Sequence, residues 1–375
     1  MKRLDRIREA LQLLNSPTSA EAAGAKNHTH ISRSVLMELA DCLFYVCFPE
    51  CSDPPVRVVP TYVDNGAMME WVLCHVADIL VSQINNAFLL HGDRNAVAHV
   101  DVFKPVRTSQ RSQLDWNAPQ SGYPFLVRDV VRQSDQQQRA ALRDSSVMSG
   151  ARPSADPEFL RQCREKAEAI TTRFLVDRLS HVRWLLHTDV EAIFRNDVAA
   201  TSPSEVVLCY PGIRCMVHQR VAHQLYLLGV PTNLTRMLTE IAHGLTGIDI
   251  HPTTSIGHHF FIDHGTGVVV GATAVLGNYV SLYQGVTLGA KSFPIDKKTG
   301  EVILDLPRHP ILEDHVTIYA NAVVLGRVTI GRRSTIGGNC WVVSNVPPYS
   351  SVVQKPNRYL EKHERMFFEK DGSGI

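Results

Sequence analysis

Two residues fifteen positions apart, Asp249 and His264, are of the types needed for general-base catalysis. A carboxylate that accepts a hydrogen bond from Nδ1–H of an imidazole leaves Nε2 free to take a proton from a hydroxyl group. Such a base typically accelerates a reaction by ~10²–10⁴. The pair predicts deprotonation of a hydroxyl, provided that the fold turns the chain back on itself within this spacing.

Arg308 and His309 form a second pair of reactive side chains. They end an insert that begins at Gly289 and carries a charged tip at 296–300. The insert is too polar to fill a core, and loops held by a rigid scaffold are where binding groups usually lie. We therefore expect both side chains to line a binding site.

A six-residue period is the feature that positions these residues. Small residues follow many of the aliphatic positions, as at Gly257, Gly271 and Gly331. The aliphatic positions are Ile250, Ile256, Ile262, Val270, Leu276, Leu282, Leu288, Leu312, Ile318, Val324, Ile330, Ile336 and Val342. An amphipathic helix needs a spacing near 3.6 and an ordinary strand a spacing of 2. A period of six is typical of a parallel β-helix, with three strands in each coil of about eighteen residues. Strands on neighbouring coils are ~4.8 Å apart, so Asp249 and His264 could approach each other.

Apolar residues at helical spacing precede the repeat. They predict helices over 33–52, 67–92 and 157–194, and two more between Ile213 and Ala242. The expected fold is α+β, with an α-helical N-terminal domain followed by a parallel β-helix of hexapeptide repeats. The predicted segments are a mobile arm (1–31), a helical extension (32–150), a second helical domain (151–246), the β-helix (247–347, with the insert at 289–311) and a C-terminal tail (348–375).

Composition excludes several classes of function. A net charge of +1 and a pI near 7.7 argue against a nucleic-acid-binding protein. No apolar run reaches the ~18 residues of a membrane span. The N-terminus lacks the apolar core of a signal peptide. We expect a cytoplasmic protein that contacts neither a membrane nor a nucleic acid.

Four stretches of the sequence resemble serine O-acetyltransferase, a family of hexapeptide-repeat acyltransferases. They are TGIDIHP (246–252), FIDHGTGVVVG (261–271), QGVTLG (284–289) and RHP (308–310). The resemblance covers roughly residues 155–350 and implies a left-handed β-helix behind a helical domain, in homotrimers that can pair into hexamers. It also implies transfer of acetyl from acetyl-CoA to the hydroxyl of L-serine, which gives O-acetyl-L-serine and CoA for cysteine biosynthesis.

The resemblance assigns roles to individual residues. His264 resembles the general base, Asp249 its orienting carboxylate, and His309 a second active-site histidine that contacts the substrate or the developing oxyanion. Asp197 and Asp263 look like the carboxylates that hold the serine ammonium, and Arg308 like the residue that binds the serine carboxylate. Simple chemistry agrees, since a zwitterion needs both an anion and a cation, and the Arg fork can bind two carboxylate oxygens.

The acetyl-CoA site implied by the resemblance is less well defined. Gly289 and Ala290 could present backbone N–H groups to the pantetheine arm. Candidates for the CoA phosphates are Lys291, Arg332, Arg333 and Lys355. The insert departs from the shorter enzymes, because it contains Phe293-Pro294 and Asp296-Lys297-Lys298, and it resembles a long-loop branch of the family.

Ile375 ends a glycine-bearing tail, Asp371-Gly372-Ser373-Gly374-Ile375. In this family such an isoleucine docks in the active site of O-acetylserine sulfhydrylase, and the tail resembles that motif. A terminal carboxylate beside an aliphatic side chain imitates an amino-acid ligand. The resemblance also implies feedback inhibition by L-cysteine, which is serine with a thiol.

Three other interpretations stay open. The first is a hexapeptide acetyltransferase that acts on a sugar or another small alcohol. The second is a zinc lyase of the carbonic anhydrase type, for which His251, His258, His259 and His264 would supply nitrogen ligands. A catalytic zinc needs three convergent ligands, so we expect no metal. The third is a non-catalytic scaffold that only holds the sulfhydrylase.

Overall fold

A computed structural model describes residues 30–55, 65–92, 156–293 and 306–355, together with positions 295 and 303. Within these ranges the chain forms helices first and a stack of short parallel strands afterwards. The predicted arm up to residue 29, the tip of the insert at 296–300 and the tail from residue 356, with Ile375, lie outside the described residues.

The described part of the chain contains seven α-helices. They are α1 (Arg33–Cys47), α2 (Asn65–His91), α3 (Pro157–Arg173), α4 (Leu179–Asn196), α5 (Pro203–Cys209), α6 (Pro211–Leu227) and α7 (Thr232–Thr246). A π-helical turn, Phe174–Arg178, joins α3 to α4 without a break. The Asp156 side chain caps α3 by accepting from the backbone N–H of Glu158. Gly247, in the left-handed conformation, ends α7.

Helix α2 is long and apolar enough to cross a membrane, by length and composition alone. Its side chains at Val76, Leu80 and Ile84 are buried, and the helix packs against α1 and α3. A row of buried residues at helical spacing is typical of a core helix in a globular protein. In this structure α2 is such a core helix.

Fourteen short strands follow, all paired in parallel: strands three places apart align as far as the thirteenth, and the last strand aligns with the strand two places before it. The strands are β1 (Asp249–Ile250), β2 (Ser255–Ile256), β3 (Phe261–Ile262), β4 (Val269–Val270), β5 (Val275–Leu276), β6 (Ser281–Leu282), β7 (Thr287–Gly289), β8 (Ile311–Leu312), β9 (Thr317–Ile318), β10 (Val323–Leu325), β11 (Thr329–Ile330), β12 (Thr335–Ile336), β13 (Trp341–Val342) and β14 (Ser351–Val352). They form three sheets: A (β1, β4, β7, β10, β13), B (β2, β5, β8, β11) and C (β3, β6, β9, β12, β14). The chain therefore winds as a three-sided β-helix, and the predicted coil is confirmed.

Every predicted aliphatic position except Ile256 is buried inside the coil. Ala274, Ala322 and Ser334 are buried as well, at the corners between sheets. The three corners are named here by the sheets that they join: A–B, B–C and C–A. Because each coil of three six-residue repeats stacks on the last, a residue's place within the coil fixes the corner on which it lies.

The B–C corner carries a column of residues with positive φ. His259, Tyr279 and His315 have φ of 55°, 57° and 59° on successive coils. Their rings stack at centroid separations of 4.4 Å and 4.6 Å. Arg333 and Tyr349 continue the column on the next two coils, since the backbone N–H of each bonds to the coil below. This column lies on the corner between sheets B and C, which is opposite sheet A.

A buried ion pair joins the helices to the first coil. Arg220 on α6 donates two hydrogen bonds of 2.7 Å to Asp189 on α4. The Arg220 guanidinium also donates to the backbone oxygens of Ile256 and Gly257, and Asp189 accepts from the backbone N–H of Phe260. The two side chains are 3% and 0% exposed, so nearly every polar atom of the pair is used in this junction.

Candidate active site

Asp197 lies at the C-terminal end of α4, where its carboxylate is held from two sides. The Tyr210 hydroxyl donates to Oδ2 at 2.5 Å, and the backbone N–H of Ala199 donates to Oδ1 at 2.8 Å. The hydrogen bond from Tyr210 is the main reason that the pKa of Asp197 lies below its ordinary value. The same bond raises the pKa of Tyr210 to about 12, and the nearby charge of Asp263 contributes.

His264 lies on the C–A corner, between β3 and β4. Its φ of 55° is left-handed, as at the stacked residues of the B–C corner, and Gly265 follows with a φ of 81°. The side chain is 72% exposed, and Nε2 lies 3.6 Å from Oδ1 of Asp263. The imidazole therefore points out of the coil. Gly212, two residues after the Tyr210 that holds Asp197, packs against Ile262, since a Cβ there would lie 3.2 Å from the Ile262 backbone oxygen. Asp197 therefore lies near Asp263 and His264, and the charge of His264 contributes to the lowered pKa of Asp197.

Asp249 lies one coil below His264 on the same side of the β-helix. Ile248, which precedes Asp249, is the residue that a Cβ at Gly265 would strike, at 2.5 Å. The Asp249 carboxylate forms an ion pair with Arg236 of α7 at 3.2 Å. Within the described part of the chain, no hydrogen bond joins Asp249 to His264. The predicted pairing of these two residues stays a prediction.

His309 and Arg308 lie on the A–B corner. The His309 side chain covers Gly271, where a Cβ would come within 2.0 Å of Cδ2 of the ring, and the residue is 7% exposed. The Arg308 guanidinium lies over the Phe293 ring, 5.6 Å from its centroid. Glycine at 271 is therefore required by the close approach of an imidazole from the insert.

The two groups of predicted residues occupy opposite edges of sheet A. Between Thr266 on the C–A corner and Gly271 on the A–B corner run five residue steps, or up to ~16 Å of extended chain. A serine molecule is far too short to reach across that distance. Within the single chain, Asp197, Asp263 and His264 come together, but Arg308 and His309 do not join them.

The candidate CoA-binding residues also lie on different corners of the β-helix. Gly289, Ala290 and Lys291 leave sheet A at the A–B corner, where Gly289 accepts from the N–H of Gly326. Lys355 follows β14 and leaves sheet C on the C–A side. Arg332 and Arg333 lie on the B–C corner between β11 and β12. The structure does not bring these two arginines to either edge of sheet A.

The four histidines of the zinc interpretation lie on three different corners. His251 follows β1, His258 and His259 lie between β2 and β3, and His264 follows β3. They cannot converge on one ion. A different trio, Glu240, His243 and Asp249, has ligand atoms within 4.8 Å of one another. Arg236 already forms ion pairs with both of its carboxylates.

Three further residues contact the predicted site residues, and no pattern in the sequence predicts these contacts. Tyr210 fixes Asp197, Arg236 pairs with Asp249, and Thr273 hydrogen-bonds to His309. Each makes its contact with a residue that is distant in sequence or lies on another element. Only the folded chain shows them.

Comparison with known proteins agrees with this architecture. The family model described as bacterial transferase hexapeptide (six repeats) matches residues 309–343. A plasmid-encoded serine acetyltransferase of Synechococcus elongatus is 51% identical over 202 residues, which is 54% of this chain and 61% of the relative's length. Serine acetyltransferase of Bacillus subtilis is 41% identical over 176 residues, covering 47% of this chain and 76% of the relative.

The solved structure of Entamoeba histolytica serine acetyltransferase 1 in complex with L-cysteine is also similar. Its TM-score is 0.54 at 25% identity, and the match covers 92% of this chain and 94% of that one. The predicted α+β fold, a helical region followed by a left-handed β-helix, is thereby confirmed. On the sequence and fold together, the chain belongs to the serine acetyltransferase family of acyltransferases.

Proposed function

We propose that this chain transfers the acetyl group of acetyl-CoA to the hydroxyl of L-serine and so supplies cysteine biosynthesis. The observation that carries the proposal is the group formed by Asp197, at the end of α4, with Asp263 and an outward-facing His264 on the C–A corner of the β-helix. Two carboxylates attract an ammonium, and the imidazole beside them can take a proton from the neighbouring hydroxyl.

The proposed reaction needs one proton carrier. His264 Nε2 takes the proton of the serine hydroxyl as its oxygen attacks the thioester carbonyl. The tetrahedral intermediate then collapses, the C–S bond breaks, and the imidazolium returns the proton to the CoA sulfur. Asp249, on the coil below, would stabilise the imidazolium, and its carboxylate would be shared between His264 and Arg236. No step requires a metal.

We further propose that each site forms between two protomers. In a trimer with sheet A facing the threefold axis, the C–A corner of one protomer adjoins the A–B corner of the next. Arg308 and His309 of one copy would then face Asp197, Asp263 and His264 of its neighbour. Sheet A also exposes apolar side chains that such packing would cover, since Val269 is 38% exposed and Trp341 68% exposed.

This assembly also selects among the CoA candidates. Gly289, Ala290 and Lys291 lie on the corner that would border the cleft, and Lys355 lies on the neighbour's side of it. Arg332 and Arg333 would face away, so we do not assign them to the acyl donor. Cytoplasmic location, pairing of trimers into hexamers and docking of Ile375 in O-acetylserine sulfhydrylase stay predictions from the sequence.

The decisive experiment follows release of free CoA from acetyl-CoA in the presence of L-serine. Loss of the general base in His264→Ala should lower kcat by ~10²–10⁴. His315→Ala is the matched control and should keep its rate, because His315 is also an exposed histidine with a left-handed φ but lies on the remote B–C corner. A wild-type protein that is inert towards L-serine would refute the proposed function, and an active His264→Ala variant would refute the proposed base.

Kinetics of Arg308→Ala distinguish L-serine from an alcohol without a carboxylate as the substrate. Loss of a charge-assisted bond to the serine carboxylate costs ~1.5–3 kcal/mol, which raises KM for L-serine by about ten- to a hundredfold. Ethanolamine has no carboxylate, so its turnover should change little. An equal loss for both compounds would favour the interpretation as an acetyltransferase for other small alcohols.

Mixed trimers test whether the site lies between subunits. His264→Ala and Arg308→Ala remove groups from opposite corners, so at L-serine concentrations well below KM each homotrimer should keep at most about a tenth of the wild-type rate. In randomly mixed trimers about a quarter of the sites would pair an intact His264 with an intact Arg308 of the neighbour. Recovery to that level on co-expression would support the assembly, whereas no recovery would contradict it.

Competition with L-cysteine tests the proposed amino-acid pocket. Cysteine has the same ammonium and carboxylate as serine, so it should inhibit competitively with respect to L-serine. The Entamoeba histolytica relative, which was solved in complex with L-cysteine, supports this expectation. Initial rates that do not change on addition of cysteine would reject it.

A further inference from the structure

Thr273 lies at the A–B corner and holds the last residues of the insert against the coil. Its hydroxyl oxygen accepts the backbone N–H groups of Arg308 at 2.9 Å and His309 at 3.1 Å. Arg327 strengthens the same junction, because its Nη1 donates to the backbone oxygens of Thr273 at 2.6 Å and His309 at 2.9 Å. The insert therefore rejoins the β-helix at a fixed point.

The same threonine determines which nitrogen of His309 carries the proton. The Nδ1 atom of His309 lies 3.1 Å from the backbone N of Thr273 and 2.8 Å from its Oγ1. A backbone N–H can only donate, so Nδ1 must be an acceptor. Oγ1 already accepts two N–H groups, which leaves its own hydrogen to point at Nδ1. The neutral ring then has its proton on Nε2.

Packing fixes the orientation of the ring as firmly as these bonds fix its tautomer. The ring occupies the space that a side chain at Gly271 would fill, where a Cβ would come within 2.1 Å of Nε2. His309 is 7% exposed, so little of it is left to solvent. A buried imidazole with one nitrogen occupied by two donors is a fixed donor at the other nitrogen.

We infer that Thr273 is a positioning residue, which holds His309 as an Nε2–H donor towards the acyl carbonyl oxygen of the bound thioester. This inference rests on the proposed function. The carbonyl oxygen gains negative charge in the transition state, and a preoriented donor stabilises that charge. The two active-site histidines then have opposite roles: His264 takes a proton, and His309 donates a hydrogen bond without giving up its proton.

Two substitutions at Thr273 test the inference. Thr273→Val removes the hydroxyl but keeps the shape, and it should lower kcat by roughly ten- to a hundredfold while KM for acetyl-CoA changes little. Thr273→Ser keeps the hydroxyl and should restore most of the rate. The matched control is Thr253→Val, since Oγ1 of Thr253 lies 2.8 Å from Nδ1 of His251 in a similar arrangement that the proposed reaction does not use.

A double-mutant cycle separates positioning from general structural damage. If Thr273 acts through His309, then Thr273→Val should add almost nothing in the His309→Asn background. Additive losses, an equal loss in Thr253→Val, or an unaffected Thr273→Val would each overturn the inference. These outcomes presuppose an active wild type, so they are distinct from inertness towards L-serine, which would refute the proposed function itself.

Discussion

At the scale of single residues, Asp197 shows how a surface carboxylate is prepared for an ammonium ligand. The Tyr210 hydroxyl and the Ala199 N–H orient the two carboxylate oxygens of Asp197 and keep the pKa of Asp197 below its ordinary value. A depressed pKa means that the carboxylate stays charged as the pH falls, until the pH reaches the lowered value. The proposed site thus keeps its negative charge in mildly acidic solution.

Tyr210→Phe should weaken serine binding without affecting the acyl donor. Without the hydroxyl, the carboxylate loses its orientation and its pKa rises towards the ordinary value. We expect KM for L-serine to increase about three- to tenfold, with a steeper rise as the pH is lowered, and KM for acetyl-CoA to stay constant. Steady-state kinetics across pH would measure this. Tyr279→Phe, on the remote B–C corner, is the control, and equal effects in both variants would contradict the role of Tyr210.

The sequence indicated the charged residues of the site but not the neutral ones that position them. Asp263 and His264 interrupt the six-residue count, and Arg308 and His309 end a polar insert, so each stands out from its surroundings. Thr273 and Tyr210 are ordinary residues for a corner and a helix start. Their roles depend on bonds to partners 36 and 13 positions away. A pattern read along the chain contains no information on such bonds.

At the scale of elements, the buried pair of Asp189 and Arg220 joins two helices to the start of the β-helix. Arg220→Met would leave a carboxylate in the interior without its partner, and we expect a loss of about 3–5 kcal/mol in the free energy of unfolding. Urea unfolding followed by circular dichroism would measure it. Arg161→Met breaks two exposed ion pairs on α3 and should leave the midpoint almost unchanged. Comparable losses in the two variants would argue against this junction.

The elements themselves were largely predictable. The six-residue count placed thirteen of the fourteen strands, because one aliphatic residue per strand must face the interior, and the longer helices followed from their apolar spacing. β14, which lies beyond the last counted position, and the short helix α5 were not predicted. The π-helical turn at Phe174–Arg178 was not predicted, since its residues continue the helical pattern. The pairing of Asp249 with Arg236 was also missed. It depends on how α7 packs beside β1, which no local pattern encodes.

At the scale of the whole molecule, sheet A is the face that the proposed trimer would bury. Trp341→Lys would place a charge on that face and should shift the protein towards smaller species in sedimentation velocity, with a parallel loss of activity. Tyr349→Lys is the matched control, because Tyr349 is 69% exposed against 68% for Trp341 and lies on the B–C corner. Dissociation in the Tyr349 variant alone would place the interface elsewhere.

The insert leaves the β-helix after β7 and rejoins it at β8, yet the coils continue as though it were absent. Ile311 aligns with Val275 below and with Thr329 above, in the same register as uninterrupted strands. The number of residues in the insert is therefore independent of the geometry of the stack. The insert can therefore be lengthened or shortened without a compensating change in the β-helix, and such a change would alter only the cleft proposed for the acyl donor.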